Sequence, residues 1–212
     1  MSSIADIRQD YKLKKLLEED VSPDPFTQFN TWWEEVINAQ ILEPNAMTLC
    51  TASADGIPSA RIVLLKGIAD GGFLFFTNYN SYKSKDLSEN PRACLVFFWK
   101  ELERQVRITG VVEKTGAEKS DEYFNSRPQA SRIGAWASPQ SQVIESRDWL
   151  EKNNQEFTER FESNPLVRPS YWGGFILKPV TLEFWQGRRN RLHDRLQYQL
   201  TEGNWRIDRL AP

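Results

Sequence analysis

The chain has 212 residues, with 27 Lys and Arg against 29 Asp and Glu, for a net charge of −2 at pH 7. That length supports a real core, and the charge balance excludes a general polyanion binder, so any nucleic-acid role would need a local patch. Aromatic residues are 12% of the chain, eight of them Trp, which suits flat ligands or a packed β-core.

The first residues (MSSIADIRQDYKLKK) lack the apolar stretch of a signal peptide, and apolar runs such as 94–99 are too short to span a bilayer. A cytoplasmic protein without membrane contact is the expectation. Cys50 and Cys94 lie inside apolar runs without CxxC spacing, so they read as small hydrophobes, with no metal site and no disulfide framework. Residues 1–20 are polar, with a weak helical spacing through Ile4, Ile7, Tyr11 and Leu16, and read as a mobile arm or lid, or a short helix, before one domain, 21–212.

Asp24-Pro25 is an N-cap followed by proline at the first helical position. Phe26, Phe29, Trp33, Val36, Ile37 and Ile41 then recur at three and four, predicting a helix over 25–42 stopped by Pro44. Asp55-Gly56 predicts a hairpin between strands 46–53 and 59–66. Asp70-Gly71-Gly72 turns the chain into strand 73–77. A short helix from Ser81 ends at Asn90, before Pro91. Strands follow at 93–99 and 105–113, then helices at 118–125 and 131–136. Ser138-Pro139 predicts the start of a longer helix lined by Val143, Leu150, Phe157 and Phe161. Four strands close the chain: 171–178, 180–185, 192–200 and 205–210. Some nine short strands, mostly joined by tight turns, predict an α+β fold built on an antiparallel barrel or closed sheet.

No GxGxxG after a strand, Walker A sequence or HExxH is present, and a single histidine excludes a histidine-rich metal centre. Phosphate recognition would therefore rest on side-chain cations. The stretch FWQGRRNRLHDR (184–195) gathers Arg188, Arg189, Arg191 and Arg195 around the only histidine, His193. Residues 186–190 read as its turn, with Gly187 able to take a positive φ. A solvated basic hairpin is one reading; a grip on a planar anion is the other, favoured by Trp185 and His193 alongside. In RIVLLK (61–66), Arg61 and Lys66 face opposite sides of a regular strand. They serve one site only at a strand end, at a bulge or between subunits. Ser81-Tyr-Lys-Ser84 opens a helix, where free N–H groups favour an anion. Tyr123, Arg127 and Ser131 recur every four residues, a spacing that one helix would align, although Pro128 interrupts it.

With ERQVR (103–107), YFNSRP (123–128), IGAWAS (133–138), YWGGF (171–175) and the terminal RLAP, these motifs make the chain resemble the pyridoxamine 5′-phosphate oxidase family from about Arg8 to Pro212. The resemblance implies an FMN-binding split barrel, a homodimer, and two sites built from both chains. It assigns the FMN phosphate to Arg61 and Lys83, beside Tyr82. Ile62, Val63, Leu64, Leu65, Lys66, Phe76, Thr77, Gln105, Gln140, Ser141, Trp185 and Arg195 surround the rest of the cofactor. Lys66, Tyr123, Arg127 and Ser131 take the substrate phosphate. Arg191 and His193, the implied catalytic pair, contact the pyridine with Leu192, while Arg8 and Tyr11 close over it. The implied reaction converts pyridoxamine or pyridoxine 5′-phosphate to pyridoxal 5′-phosphate by hydride transfer from C4′ to flavin N5, with dioxygen reduced to hydrogen peroxide. The chain departs from the family pattern at Tyr82 and Gln129, where arginine is common. A flavin or pyridoxal phosphate carrier on the same barrel leaves the substrate residues without a purpose, and a single-strand nucleic-acid barrel needs a basic groove that the net charge does not favour.

Overall fold

The computed structural model describes Ile4 and residues 10–212; Arg8 and Ile7 lie outside the described residues, and Tyr11 and Leu16 of the spacing expected through residues 4–16 lie in non-helical backbone. α1 (Pro25–Asn38) begins as Asp24-Pro25 predicts, the Asp24 carboxylate accepting from the Thr27 N–H at 2.8 Å. It ends before Gln40 and Glu43, which take positive φ, so Pro44 is not its stop. Its buried face is Phe29, Trp32 and Val36, while Ile37 falls one residue off that stripe and is half exposed. Phe29 meets Phe73, Phe97 and Trp99 at centroid distances of 5.1, 5.4 and 6.0 Å, and Trp32 meets Phe184 at 5.1 Å. The helix thereby covers the core of the sheet.

The described residues form nine strands, every pair antiparallel: β1 (Ala46–Ala52), β2 (Pro58–Leu64), β3 (Gly67–Ala69), β4 (Gly72–Asn78), β5 (Arg92–Trp99), β6 (Arg104–Lys114), β7 (Trp172–Gln186), β8 (Asp194–Thr201) and β9 (Asn204–Arg209). α2 (Tyr82–Glu89) follows β4, and α3 (Ala117–Ser126), α4 (Gln129–Ala137) and α5 (Arg147–Arg160) lie between β6 and β7. The β1–β2 hairpin turns at Asp55-Gly56 as expected, with Gly56 at φ +80°.

The long strand β7 organises the sheet. One edge pairs with β6 along nearly its whole length. The other pairs with β4 over 172–177 and with β8 over 181–186. This change of neighbour splits the sheet, and β2 and β4 close its other side through Lys66, whose N–H donates to the Leu74 carbonyl. The result is an α+β split barrel, the expected fold.

Two expected strands, 171–178 and 180–185, are therefore one. Pro179 lies inside it opposite Gly110, where the register shifts next to Thr109. A bulge accommodates the missing proline N–H, and a Cβ at Gly110 would lie 2.0 Å from the Lys178 carbonyl oxygen. The long helix also differs. It starts at Arg147, capped by the Ser146 hydroxyl, which accepts from the Trp149 N–H at 3.0 Å. Residues 138–146 form a loop, and Val143 is 97% exposed instead of lining a core.

Candidate active site

A cleft of about 870 Å³ opens among β2, β4, α2 and the α3–α4 junction. It is lined by Arg61, Ile62, Val63, Leu64, Lys66, Phe76, Thr77, Tyr82, Lys83, Tyr123, Arg127, Ser131, Gln140 and Ser141, fourteen of the residues singled out from sequence. β2 ends at Leu64, so Lys66 lies past the strand and reaches the side that Arg61 faces. The strand-end alternative holds. Leu65 is the exception: its side chain is buried in the core, and its N–H donates to the Asn45 carbonyl.

One pole of the cleft is Lys83, only 8% exposed. Its ammonium donates to Gln140 Oε1 at 2.9 Å, Thr77 Oγ1 at 3.1 Å and Ser81 Oγ at 3.2 Å, with no carboxylate among the described residues paired to it. Burial, and then the nearby Arg61, lower its pKa to about 8. Arg61 donates to Thr51 Oγ1 at 2.7 Å and stands 3.9 Å from Asp86, while Ser81 makes no side-chain cap to α2. A buried ammonium beside a guanidinium and an uncapped helix start fits a phosphate dianion such as that of FMN. Above pH 8 the free Lys83 is neutral, so binding must take up a proton. Affinity for FMN is expected to fall as pH rises through 8, by up to about tenfold per unit; fluorescence titration of apo-protein from pH 7 to 9.5 measures it, and a flat profile would contradict the assignment. Tyr82 lines the same pole but is 66% exposed. Tyr82→Arg is expected to tighten FMN by no more than about 1 kcal/mol, and less in high salt, because the new charge is largely solvated. Equal affinity at low salt would show that position 82 does not face the phosphate.

The other pole joins two helices instead of one. Tyr123 is on α3, Arg127 at its C-cap and Ser131 in the first turn of α4, so Pro128 turns the three toward one cleft. Phe76 stacks on Tyr123 at 4.0 Å and 25°. Gly174 permits this, since a Cβ there would lie 2.8 Å from Phe76 Cε1. Trp172, which sequence reasoning named only inside YWGGF, also lines the cleft. Nothing short of the three-dimensional pairing of β4 with β7 could have marked it.

The remaining residues lie elsewhere. Gln105, Trp185 and Arg195 are directly opposed in neighbouring strands and form one row across β6, β7 and β8. Arg195 is anchored by buried Glu183, which accepts from Nε at 3.0 Å and Nη2 at 3.1 Å. Trp185 stands 4.7 Å from His193 and 5.7 Å from Tyr11. Gly187 is not the positive-φ residue of this loop; Asn190 and Arg191 are, at 56° and 61°. Glycine is needed at 187 because a Cβ would lie 2.7 Å from Tyr11 Cγ. The Arg188 N–H donates to His193 Nδ1 at 3.0 Å, which leaves the proton of the neutral ring on Nε2. Burial and Arg191 lower the His193 pKa against the opposing pull of Asp194, so the neutral form prevails at pH 7. Tyr11 and Leu192 line a second cleft of about 430 Å³ with Lys12, Lys15, Arg188 and Arg189.

These two groups share no cleft. Phe76 pairs with Gly174 near one end of β7, and Trp185 is near the other. About 36 Å of strand contour, at ~3.3 Å per residue, lies between them. Among the described residues no cluster of His, Cys, Asp or Glu could hold a metal, and no helix is long and apolar enough to cross a membrane.

Residues 33–161 match the family described as Pyridoxamine 5′-phosphate oxidase, and 172–212 match the Pyridoxine 5′-phosphate oxidase C-terminal dimerisation region. The chain is 56% identical to the pyridoxine/pyridoxamine 5′-phosphate oxidase of Cupriavidus taiwanensis over 100% of both chains. It is 57% identical to that of Bordetella pertussis, over 99% of this chain and 100% of the relative. Among solved structures, PhzG from Burkholderia lata, in complex with tetrahydrophenazine-1-carboxylic acid, superposes with a TM-score of 0.88 at 29% identity, covering 94% of this chain and 99% of that one. An FMN-binding protein from Nostoc punctiforme shares the fold, with a TM-score of 0.72 at 16% identity over 91% of this chain and 100% of the other.

Proposed function

The chain belongs to the pyridoxamine 5′-phosphate oxidase family of FMN enzymes, and from that premise we propose that it oxidises pyridoxamine and pyridoxine 5′-phosphates to pyridoxal 5′-phosphate as a homodimer, each site shared by two copies. The observation that carries the shared site is the placement of its two halves at opposite ends of β7. A match of residues 172–212 to a dimerisation region supports it, because those residues include Trp185, Arg191, His193 and Arg195.

In this reading Arg61 and Lys83 hold the FMN phosphate, Ile62 to Leu64 and Phe76 line the cofactor, and Thr77, Gln140 and Ser141 supply polar contacts. The second copy brings Gln105, Trp185 and Arg195. When bound there, FMN would supply a hydride acceptor at N5 for substrate C4′, with dioxygen as the final oxidant and hydrogen peroxide as its product. Lys66, Tyr123, Arg127 and Ser131 grip the substrate phosphate. His193 offers Nε2–H as a donor to the pyridine, since Nδ1 already accepts from Arg188. Arg191 positions the ring and moves no proton, because guanidinium stays charged. Arg8 and Tyr11, on an arm of residues 1–20, close over the substrate and exclude water.

The test is oxygen uptake by FMN-loaded protein given pyridoxamine 5′-phosphate. One equivalent each of hydrogen peroxide and pyridoxal 5′-phosphate per oxygen is expected. Bound FMN without oxygen uptake on either phosphate substrate would overturn the oxidase reading in favour of a carrier.

A further inference from the structure

We propose that Trp172 is a positioning residue for the substrate-phosphate pole, holding the Arg127 guanidinium flat with its in-plane N–H groups directed at the phosphate. The proposal rests on the oxidase reading above and deepens it. Arg127 Cζ lies 4.6 Å from the Trp172 ring centroid. Arg127 lines the cleft, and among the described residues its guanidinium makes no ion pair and its Nη1 has no hydrogen-bond partner, so its charge is left for an anion. Stacking on an indole face satisfies the guanidinium plane without using any of its N–H groups. It also restricts a long side chain before the ligand arrives, which lowers the ordering cost of binding.

Trp172 is itself fixed. It is 7% exposed at the start of β7. Its ring lies near-parallel to those of Phe76, at 14°, and Tyr123, at 11°. Lys66 Nζ stands 5.8 Å from the Tyr123 ring centroid, so two cations flank one set of three aligned rings. The Trp172 carbonyl accepts from Arg168 Nη1 at 2.6 Å, and Arg168 Nε donates to Asp121 of α3 at 2.7 Å. Arg168 therefore ties Trp172 to the helix that carries Tyr123. A tryptophan serving the core alone would need neither the aligned rings nor the guanidinium on its face; leucine keeps an apolar side chain there but removes the flat surface under Arg127.

The test compares Trp172→Leu, Trp172→Phe, Arg127→Ala and the Trp172→Leu/Arg127→Ala double variant as FMN-loaded enzymes, with inorganic phosphate as a competing probe. Trp172→Leu is expected to raise KM for pyridoxamine 5′-phosphate and the inhibition constant for phosphate together, by about tenfold, with kcat unchanged. Trp172→Phe restores most of the loss, and the double variant is no worse than Arg127→Ala alone. Wild-type KM and phosphate inhibition in Trp172→Leu, or additive losses in the double variant, would overturn the proposal while the Arg127 loss keeps the site reading intact. So would a parallel fall in kcat and FMN affinity, the mark of a merely structural residue. If Arg127→Ala itself moves neither constant, the phosphate assignment fails first. Should Trp172→Leu not fold, Trp172→Phe with and without Arg127→Ala decides, additive effects again being the contrary result.

Discussion

Lys83→Met is expected to weaken FMN binding by roughly one to two orders of magnitude, the loss of a charged hydrogen bond of about 1.5–3 kcal/mol. The loss should appear below pH 8, where wild-type Lys83 is protonated, and shrink above it. The fold should not suffer in parallel. Burial depresses the Lys83 pKa below its unfolded value, so its contribution to stability is present above the unfolded pKa and lost as pH falls through 8. At pH 7 the apo-protein carries the full cost of a buried charge, and methionine removes it. Apo Lys83→Met should therefore unfold at the wild-type temperature or above while binding FMN poorly. Fluorescence titration and thermal unfolding at pH 7 read both; unchanged FMN affinity would contradict the phosphate assignment.

Arg191→Ala and His193→Ala should each reduce kcat/KM by about one to two orders of magnitude with FMN still bound. Both residues sit on the loop after Gly187, away from the Lys83 pole, which is why cofactor retention is expected. Arg191 also holds φ at 61°, a left-handed conformation that a non-glycine side chain adopts at a cost. For His193 the pH profile adds a check. Protonation of Nδ1 would break the bond it accepts from the Arg188 N–H and free the ring to turn; the lowered pKa holds this off to below the ordinary imidazole value, so wild-type activity should fall only on the acid side of it. Steady-state constants across pH 5.5 to 8 test both variants, and wild-type kinetics in either would refute its role.

Local chemistry in the sequence was enough for the parts of the fold set by local rules. Asp24-Pro25 marked the start of α1, and Asp55-Gly56 the first hairpin, because caps and tight turns need particular residues at particular places. Long-range pairing hid the rest. Pro179 reads as a gap between two strands because the residue it pairs with across the register shift, Gly110, is far earlier in the chain. Ser138-Pro139 and Ser146 are both plausible helix starts, and the loop between them instead presents Gln140 to Lys83 and Thr77. For the site, fourteen of the residues named from the motifs line one cleft, yet period-two alternation could not show that β2 stops before Lys66. Once that strand end is seen, Arg61 and Lys66 no longer require a second chain. The proposal of a shared site rests instead on the row Gln105, Trp185 and Arg195 at the far end of β7.

That shared site is tested most directly by a heterodimer of Lys83→Met and Arg191→Ala chains, isolated through two different tags. It is assayed at an FMN concentration that loads wild type but not Lys83→Met. If each site joins the cleft of one copy to the loop of the other, one site carries both lesions and its twin carries neither. The heterodimer should then recover about half of wild-type oxidase activity, although each parent homodimer is nearly inactive. Activity no higher than that of the parents would place every site within a single chain and contradict the account.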